Sequence, residues 1–301
     1  MRTKRQDLPK PGRPGGGTLL VVATPIGNLD DLSGRAIEAL KDADAILCED
    51  TRRTRILAEH IGAKARLERF DAHSSPKDIE RVIERVLAGE ILALVSDAGT
   101  PAVSDPGAKL CRKAHEKGAR VVPIPGPSAA VTLLSASGLG EHGYGFLGFF
   151  PRKSAEIQTL AQEVARFARP LAWIGYESPH RVRETLAAWA AVDPEAQVCA
   201  GKEITKQYEQ LWSGSIAEVR DQLERHFDSE GEKGEWVIAI EPSQLLRQSS
   251  DDRSVWINIL QTLMDAGVSA SRAAREVSQS FGVAKNAVYE AALEIDRARE
   301  K

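Results

Sequence analysis

The chain is poor in sulfur and in aromatic rings. It has three cysteines, two methionines and 5% aromatic residues in a length of 301. Cys48, Cys111 and Cys199 lie far apart with no CxxC spacing, which argues against a zinc site or a disulfide framework and leaves no metal expected. They read as small core residues, a usage that fits a reducing cytoplasm. No apolar run approaches the roughly 20 residues that span a bilayer. The basic start, residues 1–17, is not followed by the apolar region of a secretory signal, so secretion is not expected. Neither sign of charge dominates, since 40 Lys and Arg against 43 Asp and Glu leave a net charge of −3. A surface built throughout for nucleic acid would be more basic, so such a partner must be met by local patches. The phosphate-cradling patterns GxGxxG and GxxxxGKS/T are also missing, which removes the usual support for dinucleotide or nucleoside triphosphate binding.

What is present is an alternation of strands and helices. The length suggests two domains at about 150 residues each. Residues 1–17, rich in Lys, Arg, Pro and Gly, are expected to be a disordered tail. From Thr18 the apolar runs 19–23, 45–48, 91–95 and 121–124 alternate with helical spacings at 32–40, 52–61, 106–117 and 127–137. The run Gly145–Phe150 is taken to complete this half. Continuous apolar strands between helices predict a parallel sheet covered on both faces. Pro151-Arg152-Lys153 reads as an inter-domain joint. Residues 151–241 then read as a mixed domain, with helices at 154–167, 179–191 and 216–227 and strands at 171–176, 197–204, 208–213 and 235–241. Residues 242–253 form a polar linker. Three helical patterns at 254–266, 270–280 and 284–298 make residues 254–301 a helix-turn-helix-like unit, with Gly267 and Gly282 as helix stops.

The loops after the strands stand out. Thr24–Asn28, Glu49–Arg53, Ser96–Pro101, Ser104–Gly107 and Pro125–Ala129 are polar or rich in Gly and Pro. They fall at the carboxyl ends of parallel strands, where open α/β sheets bind ligands. Pro25 lacks an N–H and poorly suits a phosphate loop. These residues alone imply a small polar ligand, uncharged or cationic, held by backbone groups.

The segments TPIGNL, EDTRRT, SDAGTPAVSDPG, PIPGPSAA, GFFPRKS, YESPHR and KEITKQYE, in that order, resemble one family. It is the ribosomal small-subunit RNA cytidine 2′-O-methyltransferases of the tetrapyrrole-methylase superfamily. The resemblance runs from about Leu19 to Glu241, and the C-terminal helical patterns are similar to an accessory domain of that family. Ser74 departs from it, standing where the family usually has Asn after His. The resemblance implies two α/β domains, a homodimer, and S-adenosylmethionine held in the cleft between the domains. It places Pro25 and Gly27 at the first cofactor loop, Asp97, Ala98, Gly99 and Thr100 at the second, and Ser128 and Ala129 at the third. Tyr176 comes from the second domain. Small residues let a bulky ligand approach backbone amides, and an Asp carboxylate suits a sulfonium or an amino group.

Such a transfer needs donor and acceptor aligned and a base for the hydroxyl proton. Glu49, Asp50, His73, Glu177, Lys202 and Glu203 are the candidates, with Glu203, Lys202 and Asp50 ranked first. Arg52, Arg53, Arg55, Arg152, Lys153, His180, Arg181 and Arg183 are expected to meet phosphates of 16S ribosomal RNA or the small subunit. Arg272, Arg275 and Lys285 are further candidates for that role. The alternatives are a tetrapyrrole methylase of the same superfamily and a non-catalytic RNA-binding protein.

Overall fold

The computed structural model describes residues 17–165, 171–243, 253–281 and 283–299. Most of the expected N-terminal tail, the end of the helix drawn to residue 167, most of the linker and Gly282 lie outside the described residues.

The first sheet contains β1 (Thr18–Val22), β2 (Ala45–Cys48), β3 (Arg66–Arg69), β4 (Ile91–Leu94) and β5 (Arg120–Ile124). All its pairings are parallel, in the order β3-β2-β4-β1-β5. Side chains alternate between the faces of a strand, and both faces here are covered. Leu20, Val22, Ile46 and Ala93 pack with α1 (Gly34–Asp42) and α2 (Thr51–Ile61) through Ala36, Leu40, Leu57 and Ile61. Leu19, Leu47, Leu92 and Leu94 pack with α3 (Pro76–Leu87) and α4 (Ala108–Glu116) through Val82, Ile83, Val86 and Leu110. The unbroken apolar strands follow from this double burial.

Two elements went unread in the sequence, β3 and α3. The helix has a full start signal: Ser75 Oγ accepts from Asp78 N at 3.3 Å, Asp78 Oδ2 accepts from Ser75 N at 2.9 Å, and Pro76 follows the cap.

After α5 (Ala129–Ser137) come β6 (Tyr144–Phe149), α6 (Ser154–Val164), β7 (Ala172–Glu177), α7 (Val182–Ala190), β8 (Gln197–Lys202), β9 (Gln210–Ser215), α8 (Ile216–Glu230) and β10 (Trp236–Glu241). The second sheet has the order β6-β7-β10-β8-β9, with β6 parallel to β7 and the other pairings antiparallel. This corrects one expectation, because β6 belongs to the second sheet and does not complete the first. An apolar run carries no record of its pairing partner. Trp189, Leu186, Val198, Ile216, Val219 and Ile238 lie in the core of this sheet and its helices.

Two compact units result. One holds the residues up to Thr132 together with Glu203–Glu209, and the other holds Leu133–Lys202 with the residues from Gln210 onward. The chain thus changes unit inside α5, before the expected joint at Pro151, and a seven-residue excursion returns to the first unit.

At the end of the chain α9 (Arg253–Asp265), α10 (Ala270–Phe281) and α11 (Lys285–Arg299) share a small core of Trp256, Leu260, Met264, Ala273, Val277 and Val288. Gly267, at φ 82°, takes the left-handed turn after α9. Among the described residues no helix is long and apolar enough to cross a membrane.

Candidate functional site

The carboxyl edge of the first sheet is a laced set of loops. Thr24, after β1, exchanges backbone hydrogen bonds with Gly99, after β4, at 2.9 and 3.1 Å. The buried Thr24 hydroxyl donates to Ser96 O at 3.1 Å, and Ser96 Oγ donates to Gly99 O at 3.1 Å. Thr100 Oγ1 donates to Pro127 O at 3.3 Å, which brings in the loop after β5. Gly126 lies so close to Ala23 that an added Cβ would sit 2.9 Å from the alanine methyl. Gly99 turns at φ 87°, a conformation that costs glycine little.

This lacing leaves Gly27, Ala98, Pro125 and Gly126 exposed, with Pro25, Asp97, Thr100, Ser128 and Ala129 half-buried. The segment Ser104–Gly107 is the continuation of the loop after β4 and not a separate strand end. Ala102 and Ser104 have φ of 68° and 60°, strain of the sort that gathers at ligand sites.

Carboxylates gather at the same edge. Burial pushes the Glu49 carboxyl up from its ordinary value, helped by the charges of Asp105 and Asp97. Burial also raises Asp105. Asp97 accepts the Asp50 N–H at 3.2 Å and faces Arg53 Nη1 at 3.4 Å. Small exposed residues beside a partly exposed carboxylate fit a ligand that carries both a cationic head and an uncharged body.

Asp50 and Lys202 both have structural work. Asp50 caps α2, accepting Arg52 N at 2.8 Å, and grips the Arg52 guanidinium at 3.1 and 2.8 Å. These bonds hold its carboxyl well below the usual carboxylate range, which leaves it a poor proton acceptor. Lys202, buried at the end of β8, directs Nζ to His226 Nε2 at 3.0 Å and to Glu230 at 3.4 Å.

Glu203 stands differently. It and Thr205 adopt φ of 53° and 67°, so the backbone twists twice as it enters the excursion into the first unit. Glu203 Oε1 pairs with Lys206 Nζ at 3.1 Å, and the Lys206 stem lies against Gly27. Sequence reasoning passed over Lys206, although its spacing of four from Lys202 was visible.

Among the other base candidates, Glu177 is enclosed. Its carboxylate accepts Thr185 Oγ1 at 2.6 Å and Ser178 N at 2.8 Å and pairs with Arg181 at 3.3 Å. His73 is exposed in a turn where Ser74 Oγ accepts the Asp71 N–H at 2.9 Å. The serine therefore closes this loop on itself. Tyr176, on β7 of the second unit, packs edge-on against Phe146 and Phe149 with centroids 5.3 and 5.7 Å away.

Several arginines expected at phosphates are engaged within the protein. Arg183 reaches Glu224, Asp228 and Glu232 and lies over the Phe227 ring, while His180 pairs with Glu232. Arg181 also donates to Pro151 O. Arg55, Arg152, Arg272, Arg275 and Lys285 are exposed. No cluster of His, Cys, Asp and Glu able to hold a metal ion occurs among the described residues.

Residues 18–220 match the family described as tetrapyrrole (corrin/porphyrin) methylases, and residues 256–296 match the RsmI C-terminal HTH domain. Ribosomal RNA small subunit methyltransferase I of Mesorhizobium japonicum is 38% identical over 95% of this chain and 94% of its own. The protein of that name from Escherichia coli O157:H7 is 37% identical over 92% of this chain and 95% of its own. Among solved structures, diphthine synthase superposes with a TM-score of 0.55 at 16% identity, covering 75% of this chain and 90% of its own. The methyltransferase CobJ gives 0.55 at 16%, covering 76% and 95%. At such identities the structural likeness speaks for the fold.

Proposed function

The chain belongs to the tetrapyrrole (corrin/porphyrin) methylase family, in the branch of ribosomal RNA small subunit methyltransferase I, and from this premise we propose that it methylates a cytidine ribose 2′-oxygen in the decoding region of 16S ribosomal RNA. It is a methyltransferase, and S-adenosylmethionine is its methyl donor. The lacing of three loops through Thr24, Gly99, Thr100 and Pro127 carries the reading, because it fixes a cradle of small residues beside the Asp97 carboxylate.

Pro25, Gly27, Asp97, Ala98, Gly99, Thr100, Ser128, Ala129 and Tyr176 are the residues assigned to the donor. When bound, the donor supplies an electrophilic methyl group on a sulfonium. Asp97 supplies the negative charge that orients this cation, and the laced backbone holds it with little reorganisation. Glu203 accepts the proton of the acceptor hydroxyl as its oxygen takes the methyl carbon and the carbon–sulfur bond breaks. Asp50 and Lys202 give up the catalytic ranking they shared with it, the first because its lone pairs are occupied by Arg52, the second because its ammonium is committed to His226. The exposed cations Arg55 and Arg152 and the terminal helices serve the RNA. The enzyme works in the cytoplasm, where its substrate is, and as a homodimer.

Two measurements test this. Methyl transfer to free 16S RNA and to assembled small subunits reports the acceptor, and no transfer to either refutes the RNA reading. Asp97→Ala and Ser128→Trp each abolish calorimetric binding of S-adenosylhomocysteine in a folded protein. Retained affinity in both displaces the site.

A further inference from the structure

We propose that Lys206 is a positioning residue of the methyl-transfer step: its stem runs beside Gly27 of the first loop and its ammonium holds the Glu203 carboxylate in place. The inference rests on the reading of Glu203 as the proton acceptor and adds the residue that fixes where this carboxylate stands.

Three observations carry it. The Lys206 stem runs so close to Gly27 that a Cβ there would sit 2.3 Å from Lys206 Cγ and 3.1 Å from Cε, so any side chain at this place would have to displace the lysine. The ammonium meets Glu203 Oε1 at 3.1 Å, three residues back. The turn that makes this meeting possible is strained, with Glu203 and Thr205 both left-handed without being glycine. It is pinned by Lys206 N to Glu203 O at 2.9 Å and by Thr205 N to Glu209 Oε2 at 2.6 Å. Strain held this firmly fixes a side chain that would otherwise sample several rotamers.

Chemically the pair divides the work. The acceptor oxygen forms its bond to the methyl carbon as the carbon–sulfur bond breaks, its electron pair going to sulfur, and the hydroxyl proton passes to Glu203. Lys206, as a cation, takes no proton. It keeps the carboxylate aimed. The other charged groups on these segments are Glu209, Lys202, and Asp30 and Asp31 just after the loop.

The test compares Lys206→Met, Lys206→Arg, Lys206→Ala and Glu203→Gln in the full chain, with small subunits as acceptor. Loss of a cation beside a carboxylate raises its pKa by about one pH unit or more, so Lys206→Met moves the acid limb of the kcat profile upward. It also lowers kcat about tenfold or more, with the KM for the donor little changed, and Lys206→Arg restores most of the rate and the limb. Independently of turnover, Lys206→Ala removes the stem that lies beside Gly27, and the amide hydrogens of Gly27 and Asn28 exchange faster. If Lys206→Met keeps both rate and pH profile while Glu203→Gln is slow, the positioning role is overturned and the base assignment stands. If Glu203→Gln is as fast as the parent, the base assignment falls and the positioning role with it.

Discussion

Lys202 Nζ donates to His226 Nε2 across 3.0 Å, and the same ring turns Nδ1 toward Glu230 at 3.7 Å. A ring that accepts at Nε2 is neutral and carries its proton on Nδ1. Trp212 packs against it with centroids 4.8 Å apart, and Trp236 lies at 6.1 Å. The lysine at the end of β8 is thereby held inside its own unit, four residues before the lysine that reaches the first loop.

This neutral ring sets a pH dependence. Burial first, and then the Lys202 charge, lower the His226 pKa below its ordinary value. As pH falls through the usual histidine range near about 6.5, the unfolded chain takes up the proton before the folded one. The stabilisation is therefore full above that range and is lost as pH falls through it, levelling only when the folded ring also protonates. Urea unfolding of the parent and of His226→Gln between pH 5 and 8 checks this. The parent loses its advantage toward pH 5, and a pH-independent difference refutes the assignment.

Glu177 separates a structural carboxylate from a catalytic one. Glu177→Ala leaves the buried Thr185 hydroxyl without its acceptor and takes one partner from the half-buried Arg181. The cost is about 2 kcal/mol, read as a lower urea midpoint. Donor affinity in the fraction that remains folded is unchanged. A variant with parental stability and lost turnover would return Glu177 to the catalytic group.

The arginines of α2 affect two properties at once. Arg53→Glu sets a carboxylate beside Asp97, where the guanidinium now lies 3.4 Å away, so it weakens calorimetric S-adenosylhomocysteine binding as well as RNA binding. Arg55→Glu, on the same helix, weakens RNA binding alone and lowers its salt slope by about one for each phosphate no longer neutralised. Equal donor affinity in both variants contradicts a role for the Arg53–Asp97 contact in donor binding.

Which parts were legible follows from what a local pattern can carry. β1, β2 and β4 and the loops after them were plain, because burial on both faces writes itself into nearly every residue, and β5 was marked by its Val-Val run though it lies at the sheet edge. β3 was not. Arg66–Arg69 sits at the edge of the sheet, and its burial leaves only Leu67 and Glu68 half-covered, so no apolar run marks it. The start of α3 is written in Ser75, Pro76 and Asp78. At the site, the small residues of the loops were visible, and the allocation of charge was not. Arg183 finds its acids on α8, more than 40 residues away, and Lys202 finds its ring 24 residues away. Composition records how many cations a chain has and nothing of which ones are already taken.

The excursion Glu203–Glu209 also has a consequence for biosynthesis. The first compact unit contains these seven residues, so a nascent chain that has just emerged through Thr132 is still missing part of it. The missing stretch is made about 70 residues later, several seconds at the usual pace of about 5–20 residues per second. Throughout that interval Gly27 has no lysine stem beside it and the Glu203–Lys206 pair does not exist. The turn that sets Lys206 beside the first loop is therefore assembled only after β6, β7 and β8 of the second unit have been made.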